Sequence, residues 1–216
     1  MVQTAASSEA SARVQEKSLE KKREIVDAAS RVFRRRGLQA TGMRDIAAEL
    51  GMAVGNLYYY FKDREELLAF VQEDALAGLL ALAERVRELD APADRKLALL
   101  IEGHVVRLND PEEGTPGSLA HLEVEALGER WRAAVQARRD EYERALRDVL
   151  EEGIAAGVLR PADPKVAALT ILGAVNWTVK WFRPEGGKSA REIGREAAEM
   201  LVRGLLPAAP APEGSP

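Results

Sequence analysis

Apolar side chains in this chain recur at helical spacing from one end to the other. Ile25, Ala28, Ala29, Val32 and Phe33 follow i, i+3, i+4, i+7, i+8 and form one stripe on a cylinder. A hundred residues later Trp131, Val135, Arg138, Tyr142, Ala145, Leu146 and Val149 again stand at helical intervals. Val, Ile and Thr rarely alternate with polar residues, which leaves strands little support. The expected fold is therefore all-α, with about nine helices. They are read at 19–36, 43–50, 54–61, from Asp63 to the break at Ala91-Pro92, then to Asn109, 119–127, 129–157, 164–182 and 190–206. Gly37 is placed to end the first as a left-handed C-terminal residue. Asp63 with Glu66, and Asp163 before Pro164, open later ones. Residues 1–18 read as a flexible arm, 109–118 as a loop, 183–189 as a turn and 207–216 as a disordered tail.

Several chemistries are excluded at this level. The chain has no cysteine, so disulfides, thiolate metal sites and a cysteine nucleophile are absent. With 46% hydrophobic and 31% charged residues over 216 positions, it has the composition of a globular protein able to bury a core. No apolar run reaches the ~18 residues of a membrane span. No secretory signal is expected, so the cytoplasm is the expected location. His104 and His121, the two histidines, fit no metal motif with Glu123 and Glu125. No G-x-S-x-G, P-loop, G-x-G-x-x-G or H-E-x-x-H is present, which speaks against an enzyme.

Residues 41–68, TGMRDIAAELGMAVGNLYYYFKDREELL, carry more information. Two crossing short helices need a small residue at their contact, and Ala47 supplies it. The turn between them needs a residue that tolerates positive φ, and Gly51 stands four positions later. Ile46, Leu50, Val54 and Leu57 are apolar anchors. Asn56, Tyr58, Tyr59 and Tyr60 are left for a partner, flanked by Arg44 and Lys62. The first 64 residues hold 12 basic against 8 acidic side chains; the rest hold 19 against 27. A basic head on an acidic body is the asymmetry expected where one end meets a polyanion.

Residues 25–68 resemble the TetR family of bacterial transcription regulators. The likeness rests on a basic helix ending R-R-G, then T-x-x-R-D-I-A, L-G, G-x-L-Y-x-Y-F and K-D-x-E-E-L-L. It implies a three-helix DNA-binding domain at 19–62 and a larger helical ligand-binding and dimerisation domain at 63–206. By the family pattern Thr41 would hydrogen-bond a phosphate and Arg44 reach phosphate or a base edge. Gly55 would permit close approach. Asn56 and Tyr59 would face the major groove, Tyr58 and Tyr60 would also contact DNA, one of them packing while its hydroxyl touches phosphate, and Lys62 would clamp the backbone. Two departures stand out: Gly42 where many relatives have Ser or Thr, and Ala53-Val54 where many have Ser-Lys. Arg13, Lys17, Lys21, Lys22 and Arg23 either enter a minor groove or form a solvated tail.

The last two helices, at about 163–182 and 190–206, are where the family implies a homodimer interface, so that two heads meet one palindromic operator. Residues 171–193 are also similar to TetR-like regulators of fatty-acid and sterol degradation, on Asn176, Trp177, Trp181, Phe182, Arg183, Pro184 and Gly186. Several of those sense acyl-CoA. The likeness implies ligand contacts from Asn176, Trp177, Trp181 and Arg183, although two Trp at i, i+4 equally serve core or dimer packing. Arg107 and Arg138 either bind an anionic group or are solvated. The function expected is a repressor of lipid-metabolism genes released by acyl-CoA, with no cofactor. The alternatives are a repressor that senses a hydrophobic drug or aromatic metabolite, and a ligand-independent nucleoid-type protein.

Overall fold

Eight helices are found among the described residues, and no strand. The structure, a computed structural model, describes residues 2–37, 40–110 and 127–208, with the side chains of 2–14 and 34 left aside. The helices are α1 (Val2–Arg36), α2 (Met43–Glu49), α3 (Val54–Tyr60), α4 (Arg64–Arg87), α5 (Ala93–Asn109), α6 (Glu129–Ala155), α7 (Pro164–Trp181) and α8 (Ala190–Arg203). The expected helix at 119–127 lies outside the described residues apart from Leu127. Most of the loop at 109–118 and of the tail at 207–216 lies outside them too, as do His121, Glu123 and Glu125.

One boundary differs clearly from the sequence reading. The residues read as a flexible arm continue α1 without interruption. The stretch is short of apolar residues, which is why it read as an arm. It is rich in Ala and Ser and holds neither Gly nor Pro, so nothing in it breaks a helix.

The helix ends follow their local chemistry. Gly37 at φ +81° closes α1 by donating its N–H to the carbonyl of Phe33 at 2.8 Å. Asp63 accepts from the Glu66 N–H, and Asp163 from those of Lys165 and Val166. Ser189 and Glu192 form a reciprocal capping box at α8. Gly42 has no side chain to offer, and Asp45 supplies the return half by accepting its N–H at 2.9 Å.

Two cores result. Ile25, Val26, Ala29 and Phe33 of α1 meet Ile46, Leu57 and Phe61, then Leu67, Leu68 and Val71 of α4 and Val135 of α6. The second core gathers around α5, which packs on α4, α6, α7 and α8. Each fully buried Leu or Ile there contributes about 1.5–3 kcal/mol. α8 comes close to the α5 backbone at Gly194, where a Cβ would stand 3.0 Å from the Glu102 carbonyl oxygen. α4 belongs to both cores, so it is one rigid rod between head and body.

Candidate nucleic-acid interface and effector cavities

The head carries its polar and aromatic residues on one outward face. Ala47 is buried where α2 crosses, and Gly51 makes the turn at φ +63°. Leu57 and Phe61, four apart, point inward and fix the phase of α3. That phase exposes Gly55, Asn56, Tyr58 and Tyr59. Tyr59 is 82% exposed and Tyr58 49%. Tyr60 is the tyrosine that packs: it is half-buried against the head core, edge-on to Tyr59 with centroids 5.1 Å apart. A Cβ on Gly55 would meet nothing within 4 Å, so no neighbour within the chain requires glycine there. An exposed glycine with open space leaves room for an outside surface.

Thr41 is placed differently from the expectation. It is 2% exposed, and its hydroxyl donates to the Gly37 carbonyl at 2.8 Å. Its own carbonyl accepts from Arg64 Nε. A hydroxyl has one proton, and in this structure it is given to that carbonyl. Thr41 closes the α1–α2 corner instead.

Much of the basic excess of the head is cancelled internally. Arg31 and Arg35 pair with Glu49, and Arg36 with Asp45. The Arg35 hydrogen bond holds Glu49 below the usual carboxylate range, and the Gly42 N–H does most to lower Asp45. Lys21 pairs with Glu24, and Lys22 lies over the rings of Phe61 and Phe70 at 5.4 and 5.6 Å. Lys22 thus packs on the head in this structure. The side chain of Arg13 lies outside the described residues. Arg44 and Lys62 are exposed, flank α3 and have no ion pair among the described residues.

In the body, a cavity of about 300 Å³ opens between α4, α5, α6 and α7. Leu76, Leu169 and Leu172 give it hydrocarbon walls, and His104, Arg139, Tyr142 and Asn176 give it polar groups. His104 Nε2–H donates to Asn176 Oδ1 at 3.0 Å, and the Tyr142 hydroxyl donates to His104 Nδ1 at 3.0 Å. Burial pushes the His104 ring down to about 4, so it is neutral at neutral pH; burial also raises the Tyr142 hydroxyl. With its oxygen used, Asn176 keeps its Nδ2 protons as the donors of this group.

The sequence-predicted ligand residues are scattered. Asn176 lines this cavity. Arg107 lines a different cleft, between α4 and α5. Arg138 is exposed and pairs with Glu141 at 3.1 Å; its neighbour Arg139 turns to the cavity instead. Trp177 and Trp181 are 60% and 50% exposed on the outward face of α7, with Val166 and Leu169 also exposed on that helix, and neither lines the cavity. Arg183 is exposed, and its Nη1 donates to the carbonyls of Phe182 at 2.8 Å and Lys180 at 3.4 Å, finishing α7. The residues that sequence reasoning missed are Tyr142, Arg139 and the polar role of His104. A histidine and a tyrosine on apolar stripes were the available signal, but their partners lie 38 and 72 residues apart in sequence.

The chain matches two family models, one described as bacterial regulatory proteins of the tetR family over residues 25–71, the other as a tetracyclin repressor-like C-terminal domain over residues 90–205. It is similar to the HTH-type transcriptional repressor KstR2 of Mycolicibacterium smegmatis, 26% identical over 193 residues that span 84% of this chain and 89% of that one. It is also similar to the fatty acid metabolism regulator protein of Bacillus subtilis, 26% identical over 184 residues, 84% of this chain and 94% of that one. Among solved structures it resembles AibR in complex with isovaleryl coenzyme A and operator DNA. That match has a TM-score of 0.73 and 26% identity over 86% of this chain and 98% of AibR.

Proposed function

The chain belongs to the TetR family of bacterial regulatory proteins and is a DNA-binding transcriptional repressor of that kind; on that footing we propose that it is a homodimer released from a palindromic operator by an acyl-CoA thioester, controlling lipid-metabolism genes in the cytoplasm. Its relatives are transcriptional regulators rather than enzymes. No helix among the described residues is long and apolar enough to cross a membrane.

DNA is read by α3 in the major groove. Asn56 offers an amide that matches adenine, and Tyr59 and Tyr58 offer ring edges to thymine methyls and hydroxyls to phosphates. Arg44 and Lys62 hold the backbone on either side. Two heads one DNA turn apart require a symmetric pair. The exposed apolar face of α7 supports a dimer through α7 and α8, because Val166, Leu169, Trp177 and Trp181 are costly to leave in water.

The observation that carries the ligand class is the cavity between α4 and α7. Leu76, Leu169 and Leu172 give it hydrocarbon surface, its inner His104–Tyr142–Asn176 cluster is uncharged, and α6 adds Arg139, Asp140 and Glu143 to its lining. Such a site suits an acyl chain ending in a neutral carbonyl, with the Asn176 amide donating to the thioester oxygen. The coenzyme is larger than this space and lies outside it. The solved AibR complex with isovaleryl coenzyme A, on the same fold, supports the class. Leu76 on α4 touches the cavity, and Leu67 and Leu68 on the same helix hold the head. A ligand that binds more tightly when α4 is tilted from its DNA-bound position would shift both heads out of register.

The test is fluorescence anisotropy on labelled DNA from upstream of the gene, at fixed salt, with acyl-CoAs of several chain lengths. Release by acyl-CoA, but not by coenzyme A or free fatty acid, is the expected outcome. Tight binding indifferent to every thioester would overturn the ligand class and direct the search to hydrophobic drugs or aromatic metabolites.

A further inference from the structure

A second concavity, of about 450 Å³, lies between α4 and α5 with one residue of α8 at its edge. None of its lining residues lines the cavity beneath α7. Its floor is aliphatic, made by Leu82, Leu89, Leu99 and Val106, and its rim holds Arg85, Arg107 and Arg191. We propose that this cleft is a separate site for a single-chain carboxylate, a fatty acid, with its head group between Arg85 and Arg107 and its chain along the leucines.

Three observations carry this. First, Arg107 is seated rather than loose. Its guanidinium lies across the α4 backbone at Gly78, where a Cβ would come within 2.2 Å of Nη1. Any larger residue at 78 would displace it. Second, Arg107 is half-buried yet makes no hydrogen bond and no ion pair within 4 Å among the described residues. Asp74 acts on it only through space. Burial and the nearby Arg85 both push the Arg107 cation toward losing its proton, a conflict that an anion between the two guanidiniums relieves. Third, the one acid in the cleft, Glu102, is already engaged by Arg191 and Arg195 at 3.2 and 3.4 Å. The cleft is therefore net positive over an apolar floor. A carboxylate accepts bidentate bonds from guanidinium, and a hydrocarbon tail covers the leucines. The size falls within the usual range for a small-molecule site.

This differs from the thioester reading of the other cavity, where the hydrogen-bonding cluster is uncharged and the favoured group is a neutral carbonyl. One proposal can fail without the other.

The test compares decanoate, 1-decanol and decylammonium binding to the full-length protein by titration calorimetry, below their aggregation limits. Decanoate is expected to bind at least tenfold more tightly than decanol, decylammonium not measurably, and the preference to shrink as salt is raised. The double variant Arg85→Gln with Arg107→Gln is expected to lose the tenfold preference, with decanol binding kept. Arg138→Gln, on the exposed surface, is expected to keep it. A diazirine-bearing decanoate, photolysed and mapped by mass spectrometry, is expected to label residues 82–89 and 99–107. Equal binding of acid and alcohol by the unmodified protein would overturn the proposal. So would labelling at 136–143 and 169–176 instead. If the double variant melts at assay temperature, the head-group series and the labelling decide the matter on the unmodified protein.

Discussion

Replacing His104 tests whether the polar cluster at the centre of the body is as dry as its geometry implies. The ring is fully buried and held neutral, its proton affinity lowered from an ordinary 6.5 to about 4. Above pH 6.5 the ring is neutral both folded and unfolded, so the group adds no pH dependence. Below 6.5 the unfolded chain takes up a proton that the folded chain refuses, and stability falls as pH falls until the folded value is reached. Integrated between pH 7.5 and 5.0, the loss is about 2 kcal/mol. The variant His104→Gln lacks this dependence, whatever its absolute stability. Both proteins are unfolded in urea at pH 7.5, 6.5, 5.5 and 5.0 at one protein concentration, because dimerisation makes stability depend on concentration. The raised carboxylates of Asp27 and Asp74 act in the opposite sense, but are present in both proteins and cancel in the difference. The expected result is a wild-type loss that exceeds the variant's by about 2 kcal/mol. Equal losses would mean that His104 is hydrated or charged when folded, and the neutral-carbonyl argument would fall with it.

Tyr59→Ala, on the most exposed tyrosine of α3, should weaken operator binding tenfold or more with little change in melting temperature, measured by anisotropy and by calorimetry. Arg44→Gln and Lys62→Gln should each flatten the slope of log affinity against log salt by about 1, as expected when one fewer phosphate is neutralised. Gly194→Ala should destabilise by about 1 kcal/mol in urea unfolding, because the overpacking penalty against the α5 backbone outweighs the helix-propensity gain. Trp177→Glu should shift sedimentation from dimer toward monomer and weaken operator binding in parallel, if the outward face of α7 is the interface.

The head was legible because its determinants are local. Ala47, Gly51, Leu57 and Phe61 lie within fifteen residues, and a helical period with a glycine turn between two short helices fixes which side of α3 is left outside. Tyr58 and Tyr60 stayed ambiguous until the inward phase of Leu57 and Phe61 was seen in three dimensions. The partner of Thr41 within the chain was not legible for a related reason: a hydroxyl reads the same in sequence whether it meets a phosphate or the Gly37 carbonyl.

The body was legible only as helices. α7 has apolar residues around most of its circumference, so its sequence could not say whether Trp177 and Trp181 or Leu172 and Asn176 faced inward. On α6 the phase decides between Arg138 and Arg139, neighbours about 100° apart on the helix, and the structure turns Arg139 to the cavity. Sequence by itself determined the all-α class, the caps and the reading head, because those follow from interactions a few residues long. The His104–Tyr142–Asn176 cluster exists only because α5, α6 and α7 converge, and the Arg107 cleft only because α4, α5 and α8 do. The cluster's hydrogen bonds join residues 38 and 72 apart in sequence, and no local period records that.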